Sequence, residues 1–528
     1  MGQYLQFRSW LRDSSRAERG LATTTVLVVV GLTSWSLYPA APAGQTSSLA
    51  TQAGVQGAGP AAAGTTQAAA GGAAASTTGT VAAAGSAPGA VAPGTSAATG
   101  SAGSNGRTAA GPAGAKAGGT ASGACGSLGA TEVGVSPTQV NVAAVLINMA
   151  GAIGNGAVGL ASPTDQRKMS DAVVADINAH GGVACRKIAV TYFEANPIDS
   201  SSAQKACLAI AQAKVYGVLD LGGFAYPQGS ADCVAQHKIP IITGAVVPSE
   251  VKQYYPYLMT GQADVTVSDR TAVLGLKRLG WFDASKGFKK LGLYMDECSP
   301  EVNNSLLKDL ASIGLAEKDI SIYKFSCPSG GFGSASDASA AVVQHRQDGV
   351  TNVIPVTGGG SFKSYTAVAE QQRYRPKYTA LDYNGQYITT TGATGPDQNA
   401  FDGSIGVTTT RIGMESSGFS DPATDACKAV FKRHGVDPAW VTSSYLGGNT
   451  CTYWNLFAAA AGKAPSLTRV NLGHGLEQVG RIPMAYVFQD SIFKPGKLSG
   501  GDFSWVDQYH KSCNCWKVID RTPRPSAY

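Results

Sequence analysis

The stretch KIAVTYFEANPIDSSSAQKACLAIAQAKVYGVLDLGG, residues 187–223, decides the fold. It starts with an apolar, β-branched run at 187–194 and ends with another at 217–221, and both runs are typical of buried strands. Between these runs small and apolar residues recur at helical spacing, namely Ala203, Ala206, Cys207, Ile210 and Ala211. A strand, a helix and a second strand in this order predict a parallel pair joined by a right-handed crossover.

The same alternation continues on both sides of this stretch. Upstream, a strand at 139–148 precedes a helix that Gly181-Gly182 ends. Downstream, further strands are expected at 239–243, 290–294, 320–325 and 352–356, and further helices at 302–310, 338–347 and 365–372. A break at 261–266 divides the series. The sequence therefore predicts an α/β fold of two lobes, each built on a parallel sheet, with ligands beyond the carboxyl ends of the strands.

The segment before the folded part has a different composition. No Asp, Glu, Lys or Arg occurs between Arg19 and Arg107, and residues 44–125 consist mainly of Ala, Gly, Ser and Thr. Such a segment has too few large apolar side chains to offset the entropy lost on folding. It predicts a disordered linker.

The first 43 residues predict a signal peptide or a signal anchor. An N-terminal apolar helix is expected at 20–39, preceded by four arginines that would keep the N-terminus in the cytoplasm. Ala41-Pro42-Ala43 offers a cleavage site, whereas the long basic lead favours retention. The two alternatives stay open. Both place the folded part outside the cytoplasm, and an uncleaved segment would attach it to a membrane.

Charge and motif content exclude several function classes. Residues 126–528 carry 35 Lys/Arg and 33 Asp/Glu, a balance that argues against nucleic-acid binding. The six histidines and ten cysteines do not have zinc spacing, so no metal site is expected. An even number of cysteines behind an apolar N-terminal segment is typical of disulfides in an oxidising compartment.

One glycine motif favours a remote alternative, a dinucleotide-dependent enzyme. Residues 154–159, GNGAVG, match GxGxxG. However, Gly154 follows the strand by six residues, and the acidic Glu194 stands 35 residues beyond Gly159, which is too far for a dinucleotide fingerprint. No phosphate-binding GxxxxGK[ST] motif, no HExxH and, in the folded part, no GxSxG occurs. We therefore expect neither an enzyme nor a cofactor.

The chain resembles type I periplasmic solute-binding proteins, the branched-chain amino-acid-binding class that serves ABC importers. The resemblance rests on VAAVLINMAGAIGNG, INAHGG, GVLDLGGFA and KIPIITGAVV in the first lobe, on KLGLYMDECS, NVIPVTGGGS and KYTALDYNGQ in the second, and on YLGG at 445–448. It implies two Rossmann-like lobes joined by three crossovers. Lobe 1 would comprise 126–262 and 408–495, and lobe 2 would comprise 263–407 and 496–528.

The resemblance also implies a function. Such a protein makes and breaks no bond. It captures a small polar or amphipathic ligand, amino-acid-like or amide-like, in the cleft between the lobes and presents it to an ABC permease. A membrane-anchored ligand sensor of the same fold is the alternative.

The ligand-binding residues implied by the resemblance lie at strand ends. A ligand carboxylate would be held by the backbone amides of Gly223, Phe224, Ala225, Ala245 and Val247. A ligand cation would be held by Asp382, Tyr383 and Asn384. The cleft would be lined by Met149, Phe224, Tyr226 and Phe362. Phe224, Ala225 and Val247 stand where the family usually has Ser or Thr, which argues against an α-amino-acid carboxylate.

The resemblance extends to the cysteines. It implies one disulfide between Cys207 and Cys233 and another between Cys298 and Cys327. Cys125 is placed to join Cys185 at the end of the linker. The four remaining cysteines have no assigned partners: Cys427, Cys451, Cys513 and Cys515.

Overall fold

The structure is a computed structural model. It describes residues 129–528 apart from 158, 198, 225–229, 245, 328–333, 383–385, 388–396, 415–416, 418–419 and 444. Contacts divide the chain into residues 1–108 and residues 109–528. The predicted signal segment and linker, and Cys125, lie outside the described residues. Within the described part, no helix has the length and hydropathy of a membrane span.

The first half of the fold is built on a five-stranded parallel sheet in the order β2-β1-β3-β4-β5. Its strands are β1 (Gln139–Ile147), β2 (Lys187–Ala195), β3 (Gly217–Asp220), β4 (Ile241–Thr243) and β5 (Leu258–Thr260). The helices between them are α1 (Gly151–Ala157), α2 (Pro163–Ala179), α3 (Ser200–Gln212), α4 (Ser230–Gln236) and α5 (Pro248–Gln253). Every residue of β3, β4 and β5 is buried, as expected for parallel strands that helices cover on both faces.

The second half contains a four-stranded parallel sheet in the order β7-β6-β8-β9. Its strands are β6 (Leu291–Asp296), β7 (Ile320–Phe325), β8 (Asn352–Val356) and β9 (Lys377–Tyr378). The helices of this half are α6 (Val265–Arg278), α7 (Pro300–Ser312), α8 (Ala335–Gln347), α9 (Gly359–Gln371) and α10 (Gln398–Phe401). Two 3-10 turns, Ala284–Lys286 and Glu317–Asp319, precede β6 and β7.

The last third of the chain returns to the first half and then to the second. Strand β10 (Ile405–Thr408) is followed by helices α11 (Pro422–Arg433), α12 (Trp440–Ser443), α13 (Tyr445–Lys463) and α14 (Arg469–Glu477). Helix α13 joins the first half, where the Trp454 indole N–H donates to the hydroxyl of Ser170 in α2 at 2.8 Å. A short hairpin, β11 (Arg481–Pro483) and β12 (Asp490–Ile492), leads to β13 (Phe503–His510) and β14 (Cys515–Pro525).

The C-terminal strands add an antiparallel sheet that was not predicted. Strands β10, β13 and β14 form an antiparallel sheet in that order. From Lys517 to Arg521, strand β14 alternates exposed and half-buried positions. It includes two prolines, and its outer edge is unpaired among the described residues. An edge strand tolerates such a sequence. Because β14 has no continuous apolar run, it was not predicted as a strand.

Three segments connect the two halves. The chain leaves the first sheet after Thr260, whose N–H donates to the Leu498 carbonyl at 2.9 Å, so that the first and third connections run side by side. The second connection follows β10, where Thr410 bridges Val487. The lobe boundaries given above stay a prediction. The largest apolar cluster includes residues of both halves, among them Leu146 and Tyr294.

Disulfides follow the prediction in part. The bonds Cys207–Cys233 and Cys298–Cys327 are confirmed. Two further bonds, Cys427–Cys451 and Cys513–Cys515, join the cysteines left unassigned. Cys185 is also disulfide-bonded. No cysteine in the described part of the chain is free.

Candidate functional site

The carboxyl end of β3 carries a buried aspartate that organises the loop after it. Asp220, 1% exposed, accepts hydrogen bonds from the backbone N–H of Gly222 at 3.0 Å and of Phe224 at 2.9 Å, and the N–H of Gly223 adds a third. Its other oxygen accepts the Thr243 hydroxyl at 2.7 Å, which ties β3 to β4. Burial raises the pKa of Asp220, and these hydrogen bonds oppose the rise.

The second sheet uses the same arrangement at β6. Asp296, 2% exposed, is the last residue of the strand and accepts the N–H of Cys298 at 3.1 Å and the N–H of Gly358. The second bond ties the end of β6 to the loop after β8. Burial raises the pKa of Asp296 against the effect of these bonds. Each half therefore holds two neighbouring strand-end loops with one internal carboxylate.

Amide side chains hold two other strand-end loops. Asn155 in α1 is fully buried, accepts the Met149 N–H at 2.7 Å and donates to the carbonyls of Ile147 and Ala161. Gln386 accepts the Leu381 N–H at 2.8 Å and donates to two carbonyls at the end of β8. The GNGAVG motif thus supplies a side chain that closes a loop. This explains the motif without a dinucleotide.

Asp382, the predicted partner of a ligand cation, binds the segment that follows β10. One carboxylate oxygen accepts the hydroxyls of Thr408 and, at 3.1 Å, Thr410. The other accepts the Thr409 N–H at 2.7 Å and the Thr409 hydroxyl at 2.8 Å. Burial raises the pKa of Asp382, and the threonines oppose the rise. Both oxygens are therefore already hydrogen-bonded within the chain.

Two more aspartates near Asp382 are fully buried. Asp269 lies on α6 and Asp507 on β13, and no other residue in the described part of the chain hydrogen-bonds to either carboxyl. Burial raises the pKa of both carboxyls well above the usual value, and the charge of Asp382 adds to each rise. The charges of Asp309 and Asp264 add further to the rise at Asp269. This interior accommodates the carboxyls best in the protonated form.

One contact joins the two halves beside the strand ends. Ser249, in the first turn of α5, donates its hydroxyl and, at 3.2 Å, its N–H to the carboxylate of Glu301, in the first turn of α7. The adjacent Glu250 accepts the Val247 N–H at 3.1 Å. Burial raises the pKa of Glu250 to about 7, and the charges of Asp232 and Glu301 contribute to the rise. The contact therefore lies beside one carboxyl, that of Glu250, whose pKa is close to neutral pH.

The predicted ligand residues other than Asp382 divide into four groups. Gly223 and Met149 lie at strand-end loops. Phe224, 6% exposed, and Phe362, 1% exposed, belong to cores, and Phe362 packs edge-on against Tyr378 and Phe401, so we leave both side chains out of the proposed site. Val247 is half-buried against the core of the second half. The others, Ala225, Tyr226, Ala245, Tyr383 and Asn384, lie outside the described residues.

The close approach of the loop after β3 to strand β1 requires a glycine at position 223. A Cβ atom at this position would lie 2.6 Å from Val145 Cγ1 and 2.8 Å from the Leu146 carbonyl oxygen. The loop after β3 therefore passes directly over β1, and a side chain there would push the two apart. The preceding Gly222 has φ +114, a conformation that favours glycine.

Metal ligation has one candidate among the described residues. Cys207, Cys233 and His237 lie close enough for a shared ion, but the two cysteines form a disulfide and so offer no thiolate.

Asp220, Asp296 and the Ser249–Glu301 contact were not predicted from the sequence. The first two had a usable signal, because a single carboxylate ends an otherwise apolar strand in GVLD and in LGLYMD. A charged residue at that position must find partners nearby. The Ser249–Glu301 contact has no local signal because 52 residues separate its members.

Proteins of similar fold were found among the solved structures. No protein-family model and no curated protein matches this chain. A fatty acid ABC transporter substrate-binding protein from Thermomonospora curvata is 14% identical with a TM-score of 0.53, and the match covers 74% of this chain and 94% of that one. A branched chain amino acid ABC transporter from Thermus thermophilus, with bound valine, is 12% identical with a TM-score of 0.55 over 74% and 97% of the chains.

A third match is a solute binding protein of an ABC transporter from R. palustris, in complex with 4-hydroxybenzoate. It is 11% identical with a TM-score of 0.54, and the match covers 74% of this chain and 97% of that one. These structures are named as substrate-binding proteins and transport components, and none of the three is named as an enzyme. With its two parallel sheets and three connections, the chain has the fold of the type I periplasmic solute-binding proteins.

Proposed function

We propose that this protein captures a small polar or amphipathic molecule between its two halves, outside the cytoplasm, and delivers it to an ABC permease. The observation that supports this function best is the pair of parallel sheets whose strand-end loops are fixed in advance by Asp220 and Asp296. Ligands of open α/β sheets bind beyond these ends. Loops that are already ordered lose little entropy when a ligand binds, which favours affinity.

Closure is the proposed mechanism. Three connecting segments allow the halves to move as bodies, in the manner of hinged binding proteins. A ligand that contacts both halves only in the closed form shifts the population toward closure. The Ser249–Glu301 contact would then form in the closed state and add to its stability. No bond of the ligand is made or broken.

The relatives suggest candidate ligands. Those named above bind valine, 4-hydroxybenzoate or fatty acids. They range from an amino acid to an aromatic acid, so a screen must include apolar and aromatic compounds beside amino acids, amides and polyols. The residues before 129 would export the protein and, if uncleaved, anchor it to the membrane by residues 20–39.

A thermal-shift screen of the full chain tests the proposal. A ligand that binds only the folded state stabilises it by RT ln(1 + [L]/Kd), about 2.7 kcal/mol at a hundredfold excess over Kd. We expect at least one compound class to raise the unfolding temperature in a saturable way with one site per chain. No saturable stabilisation by any class would argue against solute capture.

Uptake assays separate transport from sensing. Cells that lack this protein should lose high-affinity uptake of the identified ligand. Normal uptake together with a lost cellular response to the ligand would favour the anchored sensor instead.

A further inference from the structure

Among the described residues, five backbone amides at the strand ends already bind a carboxylate of the chain itself. In the first half, the N–H groups of Gly222, Gly223 and Phe224 all point to the carboxylate of Asp220. In the second half, the N–H groups of Cys298 and Gly358 point to Asp296. Backbone N–H groups arranged around one point form a typical site for a carboxylate, and here the chain supplies that carboxylate itself.

These internal carboxylates are fixed parts of the fold. Asp220 and Asp296 are almost fully buried, and Asp220 is also held by the Thr243 hydroxyl. Thr243 is held in turn, because its carbonyl accepts the Tyr453 hydroxyl of α13 at 3.0 Å. A ligand carboxylate would have to displace a buried, hydrogen-bonded side chain to reach the same amides, and it would meet a like charge there.

Acidic side chains also surround the Ser249–Glu301 contact between the halves. Glu301 accepts from Ser249, and Glu250 and Asp232 lie near it. Between residues 129 and 528, the segments that do not belong to the described residues contain no Lys, Arg or His. Those segments therefore add no cationic side chain that would balance an anionic ligand.

From these contacts we infer that the ligand has no carboxylate or phosphate group, so that an amide binds in preference to its matched acid. The inference rests on the proposed function and narrows it. It separates this chain from its fold relatives named for valine, 4-hydroxybenzoate and fatty acids, each of which is a carboxylate or carries one. The internal carboxylates of Asp220 and Asp296 take the place of that group.

Matched compound pairs test the ligand class on the wild-type full chain. Hexanamide and hexanoate, benzamide and benzoate, and N-acetyl-leucinamide and N-acetyl-leucine differ mainly in the carboxylate. We expect the amide of at least one pair to raise the unfolding temperature with an affinity at least tenfold higher than that of its acid. An acid that binds as well as its amide overturns the inference but leaves solute capture standing. If no compound of these pairs or of the wider screen binds, both proposals fail.

Chemical rescue tests the carboxylate itself. In Asp220→Ala, formate has room to occupy the vacated position and accept the three amides, so sodium formate should raise the unfolding temperature of the variant more than that of the wild type. Sodium chloride at equal ionic strength controls for salt. Asp397→Ala is the matched control, because Asp397 also accepts two backbone amides but at a partly exposed helix start.

The formate rescue experiment can also be carried out in the second half. If Asp220→Ala does not fold, Asp296→Ala carries the same test. A folded variant with wild-type stability, or one that formate stabilises no more than chloride does, would show that the amides do not need an internal carboxylate and would overturn the inference.

Discussion

Replacing Asp382 with alanine should destabilise the fold strongly, although sequence reasoning placed this residue in the ligand site. The Asp382 carboxylate accepts four hydrogen bonds from Thr408, Thr409 and Thr410, where the chain leaves the second half. Alanine leaves the Thr409 N–H and three hydroxyls without this acceptor. Breaking a buried charged network by removing one partner costs about 3–5 kcal/mol.

Asparagine at this position is the matched control. Its side-chain oxygen still accepts the Thr409 N–H, and the threonine hydroxyls rotate to accept from its amide. Asparagine also removes the negative charge that adds to the pKa rise of the neighbouring Asp269 and Asp507 carboxyls. Asp382→Asn should therefore stay within about 1 kcal/mol of the wild type at neutral pH, a typical net value for one hydrogen bond.

Urea unfolding followed by tryptophan fluorescence measures both variants. The expected result is a lower midpoint at an unchanged slope for Asp382→Ala and a midpoint close to the wild-type value for Asp382→Asn. The reasoning is refuted if alanine costs less than about 1 kcal/mol, or if asparagine costs as much as alanine. Wild-type stability combined with lost affinity for an amine would restore the predicted ligand role.

Three further predictions concern stability. Gly223→Ala should cost about 1–3 kcal/mol, because the added Cβ meets Val145; a midpoint equal to the wild type contradicts the close approach. Asp269→Asn should leave the free energy of unfolding unchanged near pH 3.8 and raise it by about 1–3 kcal/mol above neutral pH. The reason is that the raised pKa of Asp269 in the folded state stabilises the wild type at low pH, and this stability is lost as pH rises. A difference between variant and wild type that does not depend on pH refutes this. Replacing Cys427 and Cys451 with alanine should cost about 3.5 kcal/mol by loop entropy, and a non-reducing melt unchanged by the replacement refutes the bond.

The contact between the halves gives a prediction on pH. Protonation of Glu250 near pH 7 reduces the repulsion with Glu301, so acidification from pH 8 to pH 6 should favour the contact. Glu250→Gln should remove most of this pH dependence, which hydrogen exchange of α5 and α7 measures. An unchanged pH dependence in the variant would contradict the assignment to Glu250.

Apolar periodicity was sufficient to predict the parallel sheets. Strands at 320–325 and 352–356 agree with the predicted bounds, because each is a short β-branched run inside a covered sheet. Helix α9 begins at Gly359, six residues before the predicted start, because glycines hide its first turn from any propensity argument. The antiparallel strand β14 was missed because it is half-exposed and contains proline.

The site was less predictable than the fold. Strand ends were placed correctly, so the loop at Gly223 could be found from GVLDLGG alone. What the side chains do there depends on distant partners, as with Asp382, whose hydrogen-bond donors follow it by 26 to 28 residues. The sequence alone does not show that such donors already form hydrogen bonds with this carboxylate.

Hydrogen exchange with and without the compound that stabilises the protein most tests the central claim directly. Capture between the halves predicts simultaneous protection of the loops after β1, β3 and β4 in the first half and after β6 and β8 in the second, together with slower exchange at Ser249. Protection confined to one half, or to surfaces away from these strand ends, would contradict it.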